Sequence, residues 1–150
     1  VDMVHREGEK YSVVELKWNA NTPLSAAIQV VQYGVAYLFF RRFVLPGLLE
    51  VQGAHACPAI MTASELDLVV LAPTAYYDGL TTSPAWLASF ERQLTQDLRN
   101  SKARQSVDIN MSFRFEAFPS DFAWSLEMAA DPVKHDEVAR ALKDRSRLFA

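Results

Sequence analysis

Residues 66–72 read Leu-Asp-Leu-Val-Val-Leu-Ala, an almost unbroken run of Leu and Val. A run of that kind is the pattern of a β-strand buried on both faces, as in a parallel sheet with helices above and below it. The rest of the chain is consistent with such layers. Residues 1–7 and 11–18 are two β-rich runs on either side of Gly8. Thr22-Pro23 is suited to cap and open a helix, predicted from residue 23 to about 42, before Pro46-Gly47. Residues 44–63 read as a loop with a short strand near 48–51, and residues 76–79 as a turn. Ser83-Pro84 opens a second helix to about Arg99, with Leu87, Phe90, Leu94 and Leu98 on one face. Residues 107–117 alternate strictly, apolar Val107, Ile109, Met111, Phe113 and Phe115 against polar Asp108, Asn110, Ser112, Arg114 and Glu116, which predicts a half-exposed strand. Asp131-Pro132 starts a last helix, to about Asp144. The order β-β-α-β-α-β-α predicts an α/β domain, a mixed central sheet flanked by helices.

The 150 residues suffice for one domain with a real core. Half of them are hydrophobic and 22% charged, which excludes a disordered chain. The single cysteine, Cys57, excludes an internal disulfide and a cysteine-rich metal site, and fits a reducing, cytoplasmic setting. The longest purely apolar run, Val35 to Phe40, is far short of a membrane span, so no membrane contact is expected. A net charge of −3 excludes a basic nucleic-acid coat. Any phosphate contact must come from local groups such as Arg41-Arg42, Lys102 with Arg104, or the closing series Arg140, Lys143, Arg145 and Arg147.

Chemistry concentrates at the start. With Gly8-Glu9 as a type II′ loop, Glu7 pairs with Lys10, Val4 with Val13, and Asp2 with Glu15. Asp2, Glu15 and Lys17 then share one face of the hairpin, while Met3, His5, Val14, Leu16 and Trp18 occupy the other. Two carboxylates directly opposite each other, about 5 Å apart at Cβ, repel unless a cation lies between them. Mg²⁺ or Mn²⁺ is such a cation, taking one or two carboxylates, keeping several waters and accepting phosphate oxygens. Lys17 beside it could orient water or neutralise developing charge.

Asp2, Glu15-Leu16-Lys17 and the downstream Gln29-Val30-Val31-Gln32-Tyr33 resemble the PD-(D/E)XK nuclease superfamily, in particular its RecB-like members with Gln-x-x-x-Tyr on the next helix. The resemblance covers roughly residues 1–40. It implies a restriction-endonuclease-like core and a Mg²⁺- or Mn²⁺-dependent nuclease, acting on DNA. It implies Asp2 and Glu15 as metal-binding acids, the main-chain carbonyl of Leu16 as a further ligand, and Lys17 as the catalytic lysine. Gln29 and Tyr33, four apart on one helix face, would position phosphate or the site. The helix and strand that open the family core have no counterpart ahead of Asp2, and Val1 stands where the family has Pro.

Plainer readings stand beside these. Glu15 and Lys17 also fit the solvent face of an exposed strand, paired to each other or to Asp2. Gln29 and Tyr33 fit a polar stripe of the first helix, whose apolar stripe reads Leu24, Ala27, Ile28, Val31, Val35, Leu38 and Phe39. His5 reads as a packed or surface residue. His55 with Cys57 makes a poor zinc site, and Tyr76, Tyr77 and Trp86 read as packing residues. A non-catalytic domain that keeps this fold and associates with itself or a partner chain is the second functional expectation.

Overall fold

The computed structural model describes residues 2–18, 22–52, 58–78, 84–101, 106–123 and 132–149. Five strands form one mixed sheet: β1 (Met3–Glu7), β2 (Lys10–Leu16), β3 (Glu65–Ala72), β4 (Asn110–Ala117) and the two-residue β5 (Ser146–Arg147), side by side in that order. β2, β3 and β4 run parallel, and β1 and β5 flank them antiparallel. This is the α/β architecture expected from the sequence.

The hairpin has the expected register, with Glu7 opposite Lys10 and Val4 opposite Val13. Gly8 has φ +62°, while Glu9 is not left-handed. That combination belongs to a type II′ turn, whose twist matches that of the paired strands.

α1 (Pro23–Phe39) joins β2 to β3, and α4 (Pro84–Asn100) joins β3 to β4. Both crossovers step the same way across the sheet, so their common right-handedness places both helices on one face. There Val13, Leu66, Leu68, Val70, Phe113 and Phe115 pack against Ala26, Val30, Leu87 and Leu98. The opposite face carries Val14, Val69 and Leu71, packed by Phe118, Phe122 and Ala141, the last on α5 (Pro132–Lys143). β3 is buried on both sides, as its apolar run requires.

Several expectations are overturned. The first helix does not stop before Pro46-Gly47. A π-helical turn, Phe40–Val44, leads directly into α2 (Leu45–Gln52), where a loop and a short strand were predicted. Pro46 lacks an N–H to give to the turn before it. The widened turn, with Leu45 N–H bonded to Phe40 O, already departs from the α ladder at that point. The run Pro23–Val51 is therefore 29 residues, long and apolar enough to cross a membrane by length and composition. Arg41, in the π-helical turn, ties it to the domain, donating to Ala63 O at 2.5 Å and Val107 O at 3.2 Å.

The buried stripe of α1 is also rotated from the predicted one. Ala26, Ala27, Val30, Gly34, Tyr37 and Leu38 face the sheet, while Leu24, Ile28, Val35 and Phe39 are exposed. Small residues win because the helix lies close: a Cβ on Gly34 would stand 2.7 Å from Leu68 Cδ1. Residues 74–78, partly predicted as a turn, form the short helix α3 (Thr74–Asp78). Tyr77 packs in the core as expected, and Trp86 stacks on Phe90. His55 and Cys57 lie outside the described residues.

The polar face of β4 is not a solvent face. Arg114 and Glu116 are largely buried beneath α5 and the segment after it. Glu116 accepts from Arg114 Nε at 2.5 Å and from Arg145 Nε at 2.6 Å. Arg114 also pairs with Asp67, which accepts from Lys10 Nζ at 2.8 Å and from Ser112 Oγ at 2.5 Å. Arg145 Nη2 lies 3.2 Å from His5 Nδ1, which accounts for His5 as a packed residue. Each buried charge thus has an opposite partner, the condition under which burial is tolerable.

A candidate metal corner at the end of the hairpin

Glu15 and Lys17 stand at the end of β2 and just beyond it. Glu15 is its last buried residue, 4% exposed, on the face covered by α1. The plain reading is wrong in placing Glu15 on a solvent face, since Glu15 is buried, but the ion pair it expected between Lys17 and Glu15 is present. Lys17 stands two residues on, so its side chain leaves on the same side. Its Nζ lies 2.7 Å from Glu15 Oε1, and its N–H extends the ladder to Leu71 O at 2.9 Å. The other carboxylate oxygen, Glu15 Oε2, is buried and has no hydrogen-bond partner. A buried carboxylate oxygen left so is costly unless a cation or an ordered water completes it.

Asp2 stands at the same end of the hairpin, on its other strand. The paired ladder ends at Met3 opposite Val14, and Asp2 continues it with its side chain: Oδ2 accepts the Leu16 N–H at 2.9 Å. In an antiparallel ladder the N–H and C=O of one residue face the same neighbour. The Leu16 carbonyl therefore faces the strand that carries Asp2. Asp2 thus meets the backbone of Leu16, and Lys17 meets Glu15; among the described residues no hydrogen bond or ion pair joins Asp2 to Glu15 or Lys17.

By donor type, the Asp2 and Glu15 carboxylates with the Leu16 carbonyl suit a divalent cation. Hard oxygen donors suit Mg²⁺ or Mn²⁺, two carboxylates supply the charge, and water completes the shell. Among the described residues no three His, Cys, Asp or Glu side chains come together as a metal cluster. A metal here would rest on two acids, a carbonyl and water. On the opposite face of the sheet from the Glu15 side chain, a mostly apolar cleft of about 390 Å³ opens between Met3 and Leu16 on one side and Phe118, Phe122 and Leu142 on the other, with Asp2, Lys17 and Trp18 also lining it.

Gln29 and Tyr33 stand on α1, the helix that covers the Glu15 face. Gln29 is half-buried, and its Oε1 has no hydrogen-bond partner. Tyr33 packs against the core on that side. Among the described residues no hydrogen bond joins either to Glu15 or Lys17.

Sequence reasoning passed over a second charged locus. Glu91 is buried in α4, where one carboxylate oxygen accepts the Phe115 N–H at 2.8 Å and the other Arg147 Nη2 at 3.0 Å. Burial pushes the Glu91 carboxyl above its ordinary value, and the Phe115 N–H and Arg147 partly oppose that shift. The only trace in the sequence is an acid flanked by Phe90 and Leu94 on a helix, which is too common a pattern to stand out.

Comparison with family models, with curated proteins and with solved structures finds no match to this chain.

Proposed function

We propose that this chain is a metal-dependent nuclease that hydrolyses phosphodiester bonds in DNA. One observation carries the reading: Glu15 is buried with one oxygen on Lys17 and the other without a partner, one residue from the N–H that Asp2 accepts. The sequence resemblance to PD-(D/E)XK nucleases assigns metal-binding and catalytic roles to these same residues. The hairpin, crossover helix and parallel strand that follow are the order which that resemblance implies.

Asp2, Glu15 Oε2 and the Leu16 carbonyl would hold Mg²⁺ or Mn²⁺. A bound ion of this kind lowers the pKa of its water and neutralises charge on a phosphate. Lys17, fixed by Glu15, would hold the attacking water or balance the charge gained by the phosphate as the new oxygen–phosphorus bond forms. The attacking water would lose a proton to bulk solvent, and the leaving oxygen would take one from bulk solvent as its own bond to phosphorus breaks.

The test is hydrolysis of single- and double-stranded DNA with Mn²⁺ by the wild type, Lys17→Ala and Asp2→Asn. Lys17→Ala strips a buried carboxylate of its partner and can unfold the domain. Asp2→Asn spares that pair and tests the metal on its own. A wild type that leaves both substrates intact, or an Asp2→Asn variant as active as wild type, overturns the assignment.

A second reading, a non-catalytic interaction domain, is favoured by one feature. Ile28, Val35 and Phe39 form an uncharged stripe on α1 and are each at least half exposed. Light scattering that shows a stable dimer, together with no heat on Mn²⁺ titration, would favour it.

A further inference from the structure

A groove of about 540 Å³ runs between α4 and β5, at the edge of the sheet away from β1. Its walls carry three guanidinium groups, those of Arg92, Arg99 and Arg147. Arg92, Gln96 and Arg99 are four and three residues apart, hence on one helix face, with about 10 Å between the first and last Cα. Arg147 comes from the opposite wall. Its side chain is 58% exposed, yet its position is set from within, by the buried Glu91 carboxylate that is itself anchored on Phe115 N–H. Among the described residues Arg92 and Arg99 enter no ion pair. The ring of Phe149 borders the same groove, edge-on to Phe115.

The groove therefore offers a row of planar cations, an amide and an aromatic ring. Guanidinium groups match phosphate with paired donors. An aromatic ring beside a cationic track is the arrangement that holds nucleotide strands, with bases stacked and phosphates neutralised. A base reaches such a ring only when it is free of a duplex partner.

We propose that this groove binds single-stranded nucleic acid, with phosphates on Arg92, Arg99 and Arg147 and one base against Phe149. That the strand is nucleic acid rests on the nuclease reading above. The cationic geometry does not.

Binding is measured by fluorescence anisotropy of a labelled twelve-nucleotide oligothymidylate in EDTA, which removes hydrolysis from the readout. The wild type should bind with a log–log salt slope near −2, about −0.7 for each of three phosphate contacts. Arg92→Glu with Arg99→Glu should weaken binding at least tenfold and flatten that slope by about 1.4. Arg92→Gln with Arg99→Gln should weaken it less, in the same direction. Both pairs replace exposed side chains, and thermal melting verifies the fold. Phe149→Ala should weaken oligothymidylate about fivefold while leaving tripolyphosphate binding as it was.

Unchanged affinity in both arginine pairs overturns the proposal. Tripolyphosphate competing as well as oligothymidylate at equal charge also overturns it, in favour of a general anion site. Intact strand binding without metal-dependent hydrolysis strikes the nuclease reading alone. Hydrolysis with strand binding indifferent to the arginines strikes the groove alone.

Discussion

The Asp2 carboxylate accepts the N–H of Leu16 at 2.9 Å, so the side chain of one strand completes the ladder of the other. Asn at position 2 could accept the same bond without the charge. Asp2→Asn should therefore melt within about 1 kcal/mol of wild type, yet lose Mn²⁺-dependent hydrolysis at least a hundredfold. Asp2→Ala should lose both the activity and the bond. Parallel melting and cleavage assays separate the two roles. An active Asp2→Asn removes Asp2 from the proposed metal site.

Glu15 carries a buried oxygen with no partner. If a cation completes it, Mn²⁺ should raise the melting temperature of the wild type, since a ligand bound only to the folded state stabilises it. The rise should vanish in Glu15→Gln, whose neutral amide is a much poorer cation ligand. Differential scanning calorimetry with and without Mn²⁺ measures it. An equal rise in both proteins would place the bound ion elsewhere.

Gly34 faces Leu68, and an added Cβ would lie 2.7 Å from Leu68 Cδ1 and 3.3 Å from Met111 Cε. Leu68 and Met111 are fully buried, so either must shift within the core to admit it. Gly34→Ala gains about 1 kcal/mol of helix propensity. Forcing extra volume into a packed core costs about 1–3 kcal/mol. The net outcome should be a loss of about 1 kcal/mol in urea unfolding, where an exposed helical glycine would show a gain.

Tyr77 Oη lies 3.0 Å from Val70 O and 2.9 Å from Glu116 O, bridging β3 and β4 with its one proton. Tyr77→Phe removes the donor and should cost about 1 kcal/mol in the same unfolding assay.

Glu91 has a carboxyl raised by burial above its ordinary value of 4.5. A raised folded-state pKa means that the folded chain binds the proton more tightly than the unfolded chain. This group's contribution is therefore fully present below about 4.5 and is lost as pH rises through the folded pKa. Glu91→Gln does not titrate. Its stability relative to wild type should increase as pH rises from about 4.5 through the folded pKa of Glu91. Urea unfolding across that window gives the sign, and a constant difference would contradict it.

The hairpin was legible because its information is local. Gly8 supplies the one left-handed residue of the turn, and the turn sets every pairing from Glu7–Lys10 to Met3–Val14. The buried strand Leu66 to Ala72 was legible because seven residues without solvent-facing alternation fit only between two layers. The grouping of Asp2, Leu16 and Glu15 follows from that register. Its burial does not.

Packing decided the rest. Periodicity shows that α1 has apolar residues on most sides, but not which side meets the sheet. Close approach of Gly34 to Leu68 selects the small-residue face and leaves Ile28, Val35 and Phe39 outside. Alternation in β4 marks two faces, but a polar face reads as solvent until α5 and Arg145, the latter 29 residues beyond Glu116, cover Arg114 and Glu116. Likewise the pairing of Glu91 with Arg147 joins residues 56 apart in the chain. The register of a tight hairpin, and the two-sided burial of an unbroken apolar strand, are written in neighbouring residues. The partner of a buried charge, and the face by which a helix docks, depend on surfaces that meet only when distant segments fold together.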